Sequence, residues 1–310
     1  MKAGRLLVAG GAGFVGGRLL RQAMAAGVEV ASFGPGDVDR GDGVARYHGR
    51  AETPGQLLDA LRDFRPAALV WAAGHNPAGD GLARAAIEDP AGGIAVNAGG
   101  FAAALAACAM AGVRRVVGCG STVVYGPPSL YAPGRVDEAA QPAPRSAYGL
   151  SKLMAEQAAD WGAEALGLTV TTLRLPLVLG PGRWYAGAAT LYARMLRAAA
   201  SREPLELAVP STPFDAVHGD DAAAALLLLA RHEAPPRRLN MAGLTVTHAG
   251  IAAVLDRLAG LGLIAAREEP GEPDLPLVDD AALRALGWGA ARDLDAILSE
   301  SLAELIEEAA

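Results

Sequence analysis

The sequence predicts an α/β fold: a doubly wound parallel sheet with a smaller, partly interleaved C-terminal lobe. Three observations predict it. Through the first half, short apolar runs alternate with Ala- and Leu-rich helical runs, the β-α-β-α rhythm of a parallel sheet covered by helices on both faces. A glycine cluster separates the first apolar run from the first helical one. After Pro176 the rhythm breaks into Pro-rich segments such as "SREPLELAVPSTPFD" and "EEPGEPDLPLVDD", with isolated helical pieces between them. The 310 residues suit one large α/β unit or two lobes.

"RLLVAG" (5–10) reads as the first strand, followed by a helix from Gly13 to Ala26. "VEVASF" (28–33) is a second strand, and "AALVWAAG" (67–74) a third, entered after Pro66. An Ala-rich helix spans 94–111, then "RRVVGCGS" (114–121) is a strand. A helix over 148–165 holds "YGLSK", and "LTVTTLRL" (168–175) is the next strand. Beyond Pro176 the helical pieces are 219–232, 247–261 and 280–286.

The chain is 52% hydrophobic and 20% charged, which supports a large core. Its net charge of -7 comes from mixed signs with no basic run, so nucleic-acid binding has no footprint. No apolar stretch reads as long and uninterrupted enough for a membrane span, and the opening residues look like a strand, not a signal peptide. Cys108 and Cys119 lack ligand-like spacing and read as reduced thiols of a cytoplasmic protein, with no metal site.

"VAGGAGFVGG" (8–17) spells two dinucleotide-binding patterns, Gly10, Gly13, Gly16 and Gly11, Gly13, Gly16. With 39 glycines in the chain, position gives the pattern its meaning. It follows a strand and opens a helix, where backbone N–H groups come close to a pyrophosphate. The carboxylate expected about 20 residues on, for the adenosine ribose, is missing. Gly34 stands there, Asp37 and Asp39 come later, and the nearest basic residue is Arg40, so NAD and NADP both stay open.

Only Lys2 and Lys152 are lysines among 27 Lys plus Arg. Residues four apart share a helix face, so Tyr148 and Lys152 point the same way. A nearby ammonium stabilises a phenolate and is expected to lower the phenol's pKa toward the range of an acid/base catalyst. Lysine suits this task better than arginine, being a compact charge on a flexible stem. A surface pair of Lys152 with Glu156 is the plainer alternative, although Lys before Glu is the poorer orientation.

Taken together, these segments resemble the extended branch of the short-chain dehydrogenase/reductases, the NAD-dependent epimerase/dehydratase family. The resemblance runs over nearly the whole chain: "AGGAGFVG", "WAAG" (71–74), "VNAGG" (96–100), "GSTVVYG" (120–126), "YGLSK", "LRLPLVLGPG", "DAVHGDDAA" and "ALGW" (285–288) fall in family order. It implies a Rossmann-type sheet with a substrate lobe, divided as 1–176 with 214–240 returning to it, and 177–213 with 241–310. It implies Ser121, Tyr148 and Lys152 as catalytic residues. Gly10, Gly13, Phe14, Val15, Gly16, Ala72, Ala73, Asn97, Pro176 and Val178, with Tyr148 and Lys152, would contact NAD, or NADP. His75, Thr122 and Arg183 are candidates for substrate contact, while His218 reads as a cap of the following helix.

The implied activity is hydride transfer at a secondary alcohol or ketone of a polyhydroxylated, sugar-like substrate. The alternatives are a nucleotide-sugar 4-epimerase proper and a non-catalytic dinucleotide sensor. Departures bear on substrate. Leu177 stands for the Asn of the family's sugar-nucleotide members, "PSTPFD" lacks their Arg before the "D-F-V-H" stretch, and Arg50 replaces an adenine-contacting Asp. Thr122-Val123 replaces the Asp-Glu pair of 4,6-dehydratases. The helices 94–111 and 148–165 are apolar on more than one face and must bury both; the resemblance implies that they pair across a dimer axis, so a homodimer is expected, with a monomer whose own C-terminus covers them as the alternative.

Overall fold

The computed structural model describes residues 4–38, 41–79, 81–182, 190–260 and 262–309. Strands β1 (Leu6–Ala9), β2 (Val30–Gly34), β3 (Ala45–His48), β4 (Ala68–Trp71), β5 (Arg115–Ser121) and β6 (Thr169–Leu175) are joined by helices α1 (Phe14–Ala25), α2 (Pro54–Phe64), α3 (Leu82–Glu88), α4 (Pro90–Ile94), α5 (Phe101–Ala111) and α6 (Ala147–Ala165). After β6 come β7 (Leu177–Leu179), α7 (Thr190–Ser201), β8 (Leu205–Pro210), β9 (Phe214–His218), α8 (Gly219–Arg231) and β10 (Arg238–Asn240). The chain ends with β11 (Leu244–Val246), α9 (His248–Ala259), β12 (Ile264–Glu269), α10 (Ala281–Ala285) and α11 (Leu294–Ala309).

The main sheet has the order β10-β6-β5-β4-β1-β2-β3, and its pairings are parallel. The chain runs outward from β1 to β3, returns to β4 on the other side of β1, and runs outward again. That reversal opens a crevice past the carboxyl ends of β1 and β4, where ligands of such sheets bind. Because both faces are covered, the strands are apolar runs, not alternations. Leu6, Val8 and Val30 face α1 and α8, whereas Leu7, Ala9 and Phe33 face α2, α5 and α6.

A helix from the C-terminal half, α8, closes one face of this sheet, with Ala222, Ala225, Leu226 and Leu229 fully buried against it. β10 then adds the edge strand beside β6. The third core is built by α7, α9 and α11 around Tyr192, Met195, Ile251, Leu255, Ile297 and Leu298, beside the parallel pair β8 and β12.

The segment Pro90–Ala111 forms one continuous helical run, α4 and α5 joined through a π-helical stretch at Ala95–Gly100. This corrects the sequence expectation: by length and composition the run could cross a membrane. Its Phe101, Ala104, Leu105 and Cys108 are buried against the sheet, so the apolar character belongs to a core helix.

Leu226→Ala leaves a cavity between α8 and the sheet and should cost about 2–5 kcal/mol. Urea titration should show a lower midpoint with an unchanged slope. A neutral result would mean that α8 does not complete this core.

Candidate active site

The glycine turn is built by contacts that tolerate no side chain. Gly10 has φ +84°, and a Cβ there would lie 2.6 Å from the Ala73 amide nitrogen. At Gly16 a Cβ would lie 2.2 Å from the Gly10 carbonyl oxygen. The N-terminus of α1 is therefore pressed onto the end of β1 and against Ala72–Ala73 at the end of β4. Ala12 and Gly13 remain exposed, so the first-turn N–H groups of α1 are not plugged by side chains. These residues fit a dinucleotide's pyrophosphate, as the motif requires. Phe14 and Val15 open the helix, with the Arg18 guanidinium 3.9 Å above the Phe14 ring.

Ser121 ends β5, and Tyr148 and Lys152 lie in the first turns of α6. Ser146 caps α6, its Oγ accepting the Gly149 N–H at 3.0 Å. Gly149 itself is the close approach that brings the groups together. A Cβ there would lie 2.3 Å from the Val123 carbonyl oxygen, so the first turn of α6 sits directly on the 3₁₀ turn Thr122–Val124. This brings the Ser121 hydroxyl close enough to the Tyr148 phenol to lower its pKa. The Lys152 Nζ lies 5.7 Å from the Tyr148 ring centre and donates to the Cys119 carbonyl at 2.8 Å. Thr122 is buried next to Ser121 within that turn.

The electrostatics correct the sequence expectation for the phenol. Burial pushes the Tyr148 pKa above its ordinary value, the Ser121 hydroxyl opposes this, and the Cys119 thiol adds to it. Lys152 does not dominate because its amine is itself desolvated, which pulls its pKa below the usual lysine value. Cys119 and Glu156 hold part of that charge in place.

Glu156 is not on the surface. It and Arg174 of β6 are each 1% exposed and form a two-pronged ion pair, Arg174 Nε to Oε1 at 2.8 Å and Nη2 to Oε2 at 2.7 Å. Arg174 Nη1 donates to the Tyr125 hydroxyl at 2.6 Å. That hydroxyl lies 2.9 Å from the Asp137 carbonyl and 3.0 Å from Asn240 Oδ1. One buried chain of polar groups thus runs from beneath Lys152 to the edge strand β10.

Asn97 sits in the π-helical stretch and bridges two parts of the site. Its Oδ1 accepts the His75 N–H at 3.1 Å and its Nδ2 donates to Ser151 Oγ at 3.0 Å. Ser151 Oγ in turn donates to the Tyr148 carbonyl at 2.8 Å. His75 Nε2 lies 2.9 Å from Asp89, which caps α4. Pro176 and Val178 follow β6, next to the Leu175 carbonyl that accepts from Ser121 Oγ at 3.4 Å. His218 accepts the Asp220 N–H and caps α8. Arg183 lies outside the described residues. Among the described residues no three of His, Cys, Asp and Glu gather as a metal site.

Reading the sequence for motifs missed Gly149, Ser151, Glu156 and Arg174. The signal for Glu156 was present, since it lies one turn past Lys152 on the same face. Its partner Arg174 is distant in sequence.

Two outcomes check this geometry. Glu156→Ala strands a buried guanidinium and should cost about 3–5 kcal/mol, read as a lowered denaturation midpoint. Gly149→Ala must move α6 from Val123, and a shift of about 1 Å should lower kcat on the order of 100-fold while the fold persists by circular dichroism. Wild-type turnover in Gly149→Ala would refute the close-approach argument.

Comparison with known proteins bears on this site. A family model described as the NAD dependent epimerase/dehydratase family matches residues 6–242. A UDP-glucose 4-epimerase of Azospirillum brasilense is 29% identical over 180 residues, 57% of this chain, and the match spans 49% of that protein, about half its length. The UDP-glucose 4-epimerase of Thermus thermophilus in complex with NAD superimposes with a TM-score of 0.82 at 24% identity, covering 97% of this chain and 98% of that one. MoeE5 in complex with UDP-glucose and NAD does so with a TM-score of 0.80 at 26% identity, covering 99% of this chain and 100% of that one. With its glycine turn, Ser121, Tyr148 and Lys152 inside the matched span, the chain belongs to the NAD-dependent epimerase/dehydratase family.

Proposed function

We propose that the chain transfers hydride, with NAD, at a secondary alcohol or ketone of a nucleotide-linked sugar, using Ser121, Tyr148 and Lys152. The observation that carries this reading is the meeting of a phenol, a hydroxyl and an amine at the carboxyl edge of the sheet, beside the glycine turn. NAD, when bound, supplies the hydride acceptor and donor. Tyr148 takes the proton of the substrate oxygen in oxidation and returns it in reduction. Ser121 donates to the same oxygen and orients it. Lys152 would hold its amine beside the phenol and reach the nicotinamide ribose.

Gly10, Gly13, Phe14, Val15 and Gly16 would hold the pyrophosphate end, and Ala72, Ala73, Asn97, Pro176 and Val178 the nicotinamide end. We place residues 1–176 and 214–240 in the cofactor-binding unit, and 177–213 and 241–310 in the substrate lobe. The relatives that carry UDP-glucose and NAD in their names support the substrate class.

One observation favours a second reading, a free sugar or sugar acid. Phe214 stands where the family's sugar-nucleotide members carry Arg, and its ring packs 4.7 Å from that of His248. Beside it lies a cavity of about 200 Å³ walled by residues such as Pro213, Pro273, Pro276, Tyr131 and Leu275, with no charged side chain among the described residues of its lining. A diphosphate normally needs cationic donors.

For assembly we propose a homodimer through α5 and α6. Leu150 and Trp161, 11 residues apart on α6, share a face and are exposed, as are Ile87 (78%) on α3 and Met110 (65%) on α5.

Three measurements test these proposals. Spectrophotometric screening of UDP-sugars against free sugars and sugar acids should show turnover on the nucleotide-linked set, and Tyr148→Phe should abolish it without loss of NAD binding. In the oxidative direction kcat should rise with pH, about tenfold per unit below the phenol's pKa, because burial holds Tyr148 in its acid form at neutral pH. A flat oxidative profile would contradict the assignment of Tyr148 as base. Sedimentation should give a dimer for the wild type and a monomer for Leu150→Glu with Trp161→Arg.

A further inference from the structure

Trp71 ends β4 with its indole buried, 3% exposed, and its Nε1 has no hydrogen-bond partner among the described residues. The ring is held from two sides. It packs 5.9 Å from the Phe101 ring, and a Cβ on Gly100 would lie 3.3 Å from it. A buried N–H that stays unpaired costs stability, so it calls for an acceptor. The adjoining space has room for one. A cavity of about 10 Å³ lies where β4, β5, β6 and α6 meet, with Trp71, Cys119, Lys152, Ala155 and Glu156 in its walls. That is roughly the volume that admits one water molecule.

A water held in such a place makes about three hydrogen bonds to buried polar groups. The walls offer them. Trp71 Nε1 is one donor. Lys152 carries three N–H donors, and among the described residues it makes one hydrogen bond, to the Cys119 carbonyl at 2.8 Å. Glu156 is the acceptor. Its Oε1 takes Arg174 Nε at 2.8 Å, and its Oε2 takes Arg174 Nη2 at 2.7 Å and has Arg238 Nε at 3.4 Å. A carboxylate oxygen has two acceptor sites, so Oε1 keeps one. Asn97, also in the wall, is engaged already, Oδ1 by the His75 N–H and Nδ2 by Ser151. Two donors and one acceptor are what a single water satisfies, accepting twice and donating once.

We propose that this cavity binds one water molecule, which accepts from Trp71 Nε1 and Lys152 Nζ and donates to Glu156, making Trp71 a positioning residue for the Lys152 amine. The water returns to the amine part of the hydration that burial removed, and it ties that amine to a buried carboxylate. The titratable and charged groups facing the amine are Tyr148 and Glu156 on α6 and Cys119 on β5, with Arg174 of β6 beyond Glu156. β4 contributes Trp71, which has no charge and acts on the amine through the water. Burial already lowers the Lys152 pKa, with Cys119 and Glu156 opposing it. Losing the water lowers it further. This rests on the reading above that Lys152 serves the proton carrier, and it goes beyond that reading by naming what holds the amine on its inner side.

The chain has two lysines, Lys2 and Lys152. The full-length protein labelled with ¹³C at lysine Cε therefore gives two NMR signals, which Lys2→Arg assigns. Titrating the Cε shift reads the protonation of Lys152 directly, with no substrate. The wild type should titrate below the ordinary lysine value of about 10.4. Trp71→Phe keeps an aromatic ring and lacks the N–H, and its midpoint should lie about one pH unit lower again, a tenfold change. Ala155→Val, which fills the cavity from α6, should move the midpoint the same way and serves if the Phe variant does not fold. A crystal structure of the wild type should show one ordered water within hydrogen-bond distance of Trp71 Nε1, Lys152 Nζ and Glu156. Absence of that water overturns the proposal. So does an unchanged or raised midpoint in the variants, which is what loosened packing and entry of bulk solvent would give. Neither readout uses turnover. The water in place with no turnover on any sugar sinks the catalytic reading alone, whereas turnover that needs Tyr148 but no water at this spot sinks only this proposal.

Discussion

A carboxylate and a guanidinium that water does not reach hold α6 to the sheet. Glu156 and Arg174 make two short charge-assisted hydrogen bonds, and the remaining Arg174 donor is taken up by Tyr125. Desolvating two charges is expensive, and such a pair is tolerated only when its donors and acceptors are matched this fully. In exchange the pair defines one position for α6. Tyr148 and Lys152 ride on that helix, so the placement of the proposed proton carrier depends on an interaction one to two turns away. The same network reaches Asn240 of β10 and, through Tyr125, the backbone at Asp137. It clamps the first and second halves of the chain together beneath the site.

Above this clamp, distances are set by missing side chains. Gly10 lies on the Ala72–Ala73 backbone, Gly16 on the Gly10 carbonyl and Gly149 on Val123. Each is a backbone-to-backbone contact that a single methyl group would break. The first two bring β1, α1 and β4 together at the proposed cofactor site, and the third brings α6 onto the turn that carries Ser121. The chain is rich in glycine throughout, so what distinguishes these few is what lies opposite them. Gly27 and Gly36, by contrast, would meet nothing.

The low effective polarity that makes the buried pair rigid also shapes the proposed catalytic groups. Tyr148 is pushed toward its protonated form and Lys152 toward its neutral one, each by burial. The Lys152 amine is anchored to the Cys119 carbonyl, and Glu156 opposes its neutralisation. A pairing read from helical spacing alone overstates what the ammonium does to the phenol, because it leaves out the solvent that both have lost.

By itself the sequence determined the parts of this protein whose cause is local. The alternating β and α runs, the glycine turn between β1 and α1, and the shared face of Tyr148 and Lys152 follow from strand and helix geometry over a few residues. The family order of the motifs, and with it Ser121 as a candidate, was legible only through resemblance. Only the tertiary structure decided what depends on residues far apart in the chain. α2 could have been read from its buried Leu57, Leu61 and Phe64, but the pairing of β8 with β12 has no local signature, and the return of α8 and β10 to the first sheet was expected only through the family resemblance. Glu156 became buried because Arg174 arrives from another strand. Trp71 shares a cavity wall with Lys152 and Glu156 because α6 packs onto the sheet. In each case burial and proximity, not residue type or spacing, decide what the side chain meets, and both are properties of the packed chain.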